Sequence, residues 1–185
     1  MRRVVACLRR SFDMANEQHL GMINKGVESW NQWREENQDE AIDLSGADLR
    51  GTSLAGFNLK NANLMDAELQ FSNLAGALME GANLERARLQ EVNLQGTQLA
   101  NANVKGCNLM ESNLQGANLE NCNLQGSQFN EDVLFAQTNL MGANLLEASG
   151  LSVMQIKSSV VDKNTQLPDY LNDDMEDEEF LNSMI

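Results

Sequence analysis

Several residue types are scarce in this chain of 185 residues, and each scarcity removes a class of function. There are 3 cysteines, 1 histidine, 1 proline and 1 tyrosine. An odd number of cysteines does not make a disulfide framework of the secreted kind. A lone histidine, with no cysteine or carboxylate cluster around it in sequence, leaves few parts for a metal site or a catalytic triad. No apolar run reaches the ~18 residues of a membrane span. Val4–Leu8 is too short for the apolar region of a secretory signal, and no small-residue cleavage site follows it. The expectation is an intracellular, cytoplasmic protein. Basic residues are outnumbered 27 to 13, for a net charge of −14. So acidic a chain is a poor nucleic-acid binder, and no direct contact with nucleic acid is expected. No phosphate-binding glycine motif occurs. The chain is 42% hydrophobic, enough for a packed core, and its length suits one domain with short extensions or two small ones.

What the sequence has in abundance is a period of five. Leucine returns at Leu44, Leu49, Leu54, Leu59, Leu64, Leu69, Leu74, Leu84, Leu89, Leu94, Leu99, Leu109, Leu114, Leu119 and Leu124. Met79, Val104 and Phe129 complete the series, so all 18 positions from 44 to 129 in steps of five are apolar and 15 are leucine. Two residues before each centre the side chain is mostly small, as at Ala47, Ala62, Ser72, Ala82, Cys107, Ala117 and Cys122. One before is often asparagine, as at Asn63, Asn83, Asn103 and Asn123; two after is often glycine, as at Gly46, Gly76, Gly96 and Gly126.

A period of five matches neither the 3.6 of a helix nor the 2 of a strand. The centre and the residue two before it share a face if the piece between them is extended. The two residues after the centre then turn the chain, and glycine there suits a turn that needs positive φ. Each unit is one short side and one corner, and repeated corners coil the chain with leucine and the small residue inside.

Runs such as Ala47-Asp48-Leu49, Ala62-Asn63-Leu64, Ala82-Asn83-Leu84 and Ala117-Asn118-Leu119 resemble the A-(D/N)-L-x-x unit of the pentapeptide-repeat proteins. The segment His19-Leu20 through Gly26–Arg34 is similar to the N-terminal segment of cyanobacterial-type members. The resemblance implies an all-β fold: a right-handed quadrilateral parallel β-helix of 20 residues per coil over 41–150. The series breaks once. After Phe129 the next centres are Phe135, Leu140 and Leu145, so one residue is inserted, read as a bulged corner at Asn130–Asp132. That makes about five coils.

The ends read differently. Residues 16–40 are expected to form one N-terminal capping helix, with Asn16 as N-cap and Leu20, Ile23, Val27, Trp30 and Trp33 or Arg34 on one stripe. Trp30 and Trp33 are expected to cap the first coil, where Ile42 and Phe57 are oversized at normally small positions. A partner-binding helix is the alternative. Residues 1–15 read as a disordered arm carrying Arg2, Arg3, Arg9 and Arg10, with Met14 as a natural start just before the helix; a basic targeting arm is the other reading. Residues 151–171 are expected to hold a short C-terminal helix from Ser152, carrying Val153, Ile156 and Val160, and then a turn. Residues 172–185 form an acidic tail ending in Phe180, Leu181, Met184 and Ile185, either solubilising or a motif that folds on a partner.

Folding the chain at 20 residues gives one side without charge: 52–56, 72–76, 92–96 and 112–116. Its outward positions include Ser53, Asn73, Asn93, Gln95, Asn113 and Gln115, a candidate interaction face. The adjacent side is expected to hold Asp48, Glu68, Glu91 and Glu111 together with Arg50 and Arg88. Cys107 and Cys122 are inward filler, and His19 is a surface or packing residue. Met65, Met110 and Met141 are expected at the surface. Nothing converges on a catalytic or metal site, and no cofactor is expected. The expected function is a non-catalytic scaffold or protein-interaction module whose partner is a protein, with a homodimer left open. The alternative is an acidic DNA mimic that binds or inhibits a type II topoisomerase such as DNA gyrase, a role some family members have. Against it, residues 41–150 carry 12 acids and 5 bases, whereas ~25 Å of duplex DNA carries about 15 charges.

Overall fold

A computed structural model describes residues 15–172. The arm, with Cys7, and the tail, with Phe180, Leu181, Met184 and Ile185, lie outside the described residues. The chain winds into a four-sided coil. Parallel bridges join each residue to the one 20 further on, in four columns. Side 1 runs Asp43, Asn63, Asn83, Asn103, Asn123, Asn144, Gln166; side 2 runs Asp48, Glu68, Arg88, Asn108, Gln128, Ser149. Side 3 runs Ser53, Asn73, Asn93, Asn113, Leu134; side 4 runs Asn58, Leu78, Gln98, Asn118, Asn139, Val160. The seven levels of side 1 stand about 29 Å tall at ~4.8 Å per step. Every centre from Leu44 to Leu124, then Phe129, Phe135, Leu140 and Leu145, is buried.

The five-residue unit has a local physical cause. At every corner from 46 to 126 the second residue sits at positive φ, as at Gly46, Gly76, Gly96 and Gly126 (62°, 63°, 66° and 67°), and only the bulged corner at 131–132 departs from this. Where glycine is missing the backbone still turns that way, as at Phe71 (63°) and Glu91 (55°). Where asparagine precedes a centre it can do two jobs. Asn63 Oδ1 accepts the Met65 N–H at 3.3 Å, closing the corner, while Asn83 Nδ2 donates to Asn63 Oδ1 at 3.2 Å, tying one level to the next. The ladder ends at Asp43, which needs no donor because no level precedes it. Its carboxylate accepts from Asn63 Nδ2 at 3.2 Å and Ser45 Oγ at 2.7 Å. Burial alone would raise the pKa of Asp43, but these hydrogen bonds hold it below the ordinary value.

The inserted residue is where the sequence places it. The next bridges step by 21, from Asn113 to Leu134 and from Asn118 to Asn139. One level earlier the Glu91 N–H donates to the Met110 carbonyl; at the bulge Glu111 N–H donates instead to Asn130 Oδ1 at 2.9 Å. A side chain stands in for the missing rung, and Phe129 and Phe135 pack across it with ring centroids 5.6 Å apart.

Three expectations need correction. The N-terminal cap is two helices, α1 Glu17–Ile23 and α2 Val27–Glu36, because Gly26 sits at φ 90° between them. The apolar stripe runs across the break because both helices lie on the same first coil. The C-terminal helix, α3 Val153–Lys157, is short, and Val160 is not in it. Val160 bridges to Asn139 and Gln166 to Asn144, so the segment read as cap and turn adds a further level on sides 4 and 1. A last turn, α4, covers Asp169–Asn172. Third, Glu91 and Glu111 stand not on side 2 but at the corner between sides 2 and 3, while Asp48, Glu68 and Arg88 share side 2. Both expected N-caps hold. Asn16 Oδ1 accepts the Gln18 N–H at 2.8 Å, and Ser152 forms a capping box with Gln155.

The N-terminal lid seals the first coil with side chains. Trp30 is fully buried, 6.0 Å from the Phe57 ring and 5.4 Å from Trp33 between centroids, and its Nε1 donates to the Asn58 carbonyl at 2.8 Å. Ile42 is buried beneath the same lid. His19 is a packing residue: its Nδ1 accepts the Asp43 N–H at 3.1 Å, and Nε2 lies 3.1 Å from Glu40 Oε1. Arg34 is buried too, donating to the Glu40 and Lys60 carbonyls, and burial lowers its pKa with Glu40 opposing.

Candidate interaction surface

The coil brings the six expected face residues together. Ser53, Asn73, Asn93 and Asn113 stack in the side 3 column, and Gln95 and Gln115 stand beside it at the corner. Their amides are partly spent on the fold. Asn93 Nδ2 donates to Asn73 Oδ1 at 3.1 Å, and Asn113 Oδ1 accepts the Gln115 N–H at 3.0 Å. Ser53 and Gln95 are exposed; the other four are half-buried.

The uncharged area is twice the one expected. It continues around the corner onto side 4: residues 52–59, 72–79, 92–99, 112–119 and 133–140 contain no charged side chain. Two adjoining sides are neutral over five levels. Three large apolar side chains border this half: Phe71 at its edge with side 2 (61% exposed), Leu134 on side 3 (46%) and Met154 of α3 (75%). Leu134, Ala136 and Met154 line one shallow groove there. These three were not singled out from the sequence. Leu134 was hidden by the inserted residue, which shifts it into the side 3 column; the charge-free run 57–59, 77–79, 97–99, 117–119 was readable.

The other half carries the charge. Arg50 meets Asp48 at 2.6 Å and Glu68 at 3.3 Å, Arg86 meets Asp66 at 2.8 Å, and Lys60 meets Glu80 at 3.1 Å. The hydrogen bond from the Arg50 side chain pulls Asp48 down to about 2. Such exposed pairs add little stability. All these pairs lie in the first levels. Glu91, Glu111 and Glu131 follow at the corner of sides 2 and 3 with no ion pair among the described residues, so the charged half grows more negative toward the C-terminal end.

Cys107 and Cys122 are buried, and burial pushes each thiol up to about 12. Neither is an activated nucleophile. Met65 and Met110 are half-buried and Met141 is exposed. Among the described residues no group of histidine, cysteine and carboxylate side chains is arranged to hold a metal ion, and no helix is long and apolar enough to cross a membrane.

Comparison with known proteins agrees with the coil. No curated protein sequence matches the chain. A pentapeptide repeat protein from the thylakoid lumen of Arabidopsis thaliana is 25% identical with a TM-score of 0.59, over 64% of this chain and 81% of that one. Rfr23, a pentapeptide repeat protein of the cyanobacterium Cyanothece 51142, is 33% identical over 70% of this chain and 67% of that one, with a TM-score of 0.36. A third, alr5209 from Nostoc PCC 7120, is 20% identical over 74% and 95% of the two chains, with a TM-score of 0.49. The family model for pentapeptide repeats matches residues 42–81, 67–106, 87–126 and 107–145, more than half the sequence. With five-residue units, four bridged columns and that match together, the chain belongs to the pentapeptide-repeat family.

Proposed function

We propose that this right-handed, capped coil is a non-catalytic scaffold that docks a protein partner on its uncharged half. The observation that carries the reading is the division of the column: two sides free of charge over five levels, bordered by Phe71, Leu134 and Met154, against two sides that, with the corners flanking them, carry the charged residues of 43–150. Depletion of charge with a few exposed aromatic and methionine side chains is the composition of an interface core. A DNA mimic would present acids around the column as phosphates surround a duplex, and this one presents them on half of it. We place the protein in the cytoplasm.

The test is a pull-down from source-cell extract with three versions of the chain: the parent, Asn93→Lys with Gln115→Lys, and Glu91→Lys with Glu111→Lys. The expected result is a partner retained by the parent and the Glu variants at high salt and lost by the side 3 variant. Capture of gyrase or topoisomerase IV subunits, lost at high salt and in the Glu variant, would overturn the reading in favour of mimicry.

A further inference from the structure

Each end of the coil is closed on some sides and open on others; at the start of sides 2 and 3 the backbone groups of Asp48 and Ser53 have no ladder partner among the described residues. At the N-terminal end side chains and the α1 cap occupy the ladder groups of sides 1 and 4: Asn16 N–H donates to the Asp43 carbonyl at 3.0 Å, Asp43 N–H to His19 at 3.1 Å, and Asn58 N–H to Asn31 Oδ1 at 2.8 Å. At the C-terminal end Gln155 closes side 3 by donating to the Asn130 and Val133 carbonyls at 2.8 and 3.1 Å. Side 2 is left open. One level earlier Gly126 N–H donates to the Leu146 carbonyl at 3.0 Å, the Ser127 carbonyl accepts the Ser149 N–H at 3.0 Å, and Phe129 N–H donates to the Ser149 carbonyl at 2.8 Å. The equivalent groups of the last strand are Glu147 N–H, Ala148 C=O and Gly150 N–H. Among the described residues none of the three has a ladder partner.

Glu147 and Ala148 line a groove of about 620 Å³ together with Leu146, Ser149, Pro168, Asp169 and Tyr170. The alternation of donor, acceptor and donor along an open strand can be met in register by an extended backbone. The groove is apolar along Leu146, Ala148 and Pro168 and carries a carboxylate at either side, Glu147 and Asp169, both exposed. It therefore fits a strand with an apolar middle and basic flanks. The chain itself contains a segment of that composition, outside the described residues: Arg2-Arg3-Val4-Val5-Ala6-Cys7-Leu8-Arg9-Arg10, with the β-branched pair Val4-Val5.

We propose that the open strand 147–150 takes the segment Arg2–Arg10 of a second copy, added as a further strand on side 2. The contact joins the arm of one copy to the C-terminal edge of another, either head-to-tail along a chain of copies or by reciprocal exchange of arms within a pair. It is separate from the uncharged half, which occupies sides 3 and 4.

The experiment compares the 185-residue chain with one beginning at Met14 by sedimentation velocity at micromolar concentrations and low salt. The full chain is expected to associate and to dissociate at high salt; the shorter chain is expected to stay monomeric. A synthetic Arg2–Arg10 peptide, with Cys7→Ser, is expected to bind the shorter chain and to dissolve the oligomers of the full one. Binding should weaken about tenfold or more in Glu147→Lys with Asp169→Lys. Those side chains are exposed, and an unchanged melting curve verifies the fold. A peptide N-methylated at alternate residues keeps its charge but loses the ladder, and should bind at least tenfold more weakly. A full chain that sediments as a monomer, association that persists without residues 1–13, or equal binding of the N-methylated peptide would each overturn the proposal.

Discussion

Replacing Ser112 and Ser127 by alanine, one at a time, should move stability in opposite directions. Both occupy the small inward position and both are fully buried. Most polar residues in that position donate to the carbonyl of a centre one level back. Thr97 reaches Leu74 at 2.8 Å, Cys107 reaches Leu84 at 2.9 Å, Cys122 reaches Leu99 at 2.7 Å, and Ser127 reaches Val104 at 2.8 Å. The hydroxyls of Ser72 and Ser112 are buried without a partner. Ser127→Ala removes a buried hydrogen bond, a loss of about 0.5–1.5 kcal/mol. The Val104 carbonyl is not stranded, because it also accepts the Cys107 N–H at 3.3 Å. Ser112→Ala removes an unsatisfied hydroxyl whose burial costs about 1–3 kcal/mol, so it should stabilise by about 1 kcal/mol. Alanine already fills this position at Ala82 and Ala117 without exposure, so neither change leaves a new misfit. The two variants should differ by about 2 kcal/mol, read as opposite shifts of the urea midpoint at constant slope. Trp30 fluorescence and far-ultraviolet dichroism should give the same transition, since a stacked coil can unfold in parts. Ser72→Ala should follow Ser112→Ala. If Ser112→Ala loses as much as Ser127→Ala, the inward hydroxyls are not sorted by their carbonyl partners.

The corners allow a second test: a Cβ at Gly96 meets nothing within 4 Å, so Gly96→Ala isolates the positive φ and should cost about 1 kcal/mol, while Glu91→Gly should gain roughly 0.5 kcal/mol after the added freedom of the unfolded chain; equal effects at both sites would refute this. Trp30→Ala should destabilise by about 3–5 kcal/mol, and a loss below about 1 kcal/mol in urea titration would mean that the lid is dispensable. The thiols of Cys107 and Cys122 are held near 12 against an ordinary 9. Stability should therefore be level below pH 9 and fall between about 9 and 12 as the unfolded thiols ionise, by up to ~1.4 kcal/mol per pH unit for each. The double variant to alanine should lack that slope, and native protein at pH 8 should leave both thiols unreactive toward a disulfide reagent.

How much of the molecule was legible follows from what is periodic. The centres, the inward small residues and the glycine corners repeat with one spacing, so the coil and the alignment of Ser53, Asn73, Asn93 and Asn113 could be read from the sequence. Asn16, Ser152 and the inserted residue near Asn130 were legible because each is a local signal. Gly26 was missed because Ile23, Val27 and Trp30 keep helical spacing across it: two short helices on one surface share a stripe. The level added by Val160 and Gln166 was missed because its steps are 21 and 22 residues, and a search at five cannot see them. Burial of His19 needs Glu40 and Asp43 beside it, a contact that spacing does not encode.

The same division explains why so regular a fold says little about function. A repeated rung is constrained from both sides: its asparagine closes a corner and holds the next level, and its leucine fills the core. Little of it is free to recognise anything. Freedom returns at the outward corner residues, where Phe71, Glu91 and Gln95 share a backbone but no side-chain duty, and at the ends, where the ladder has no next level. Charge is sorted at the first kind of place, into a neutral and an acidic half. At the second kind, Gln155 closes side 3 with a side chain while the backbone groups of Glu147, Ala148 and Gly150 on side 2 have no ladder partner among the described residues. A binding role for this coil is therefore to be sought where the repeat stops determining the residue: the uncharged sides and the open C-terminal strand.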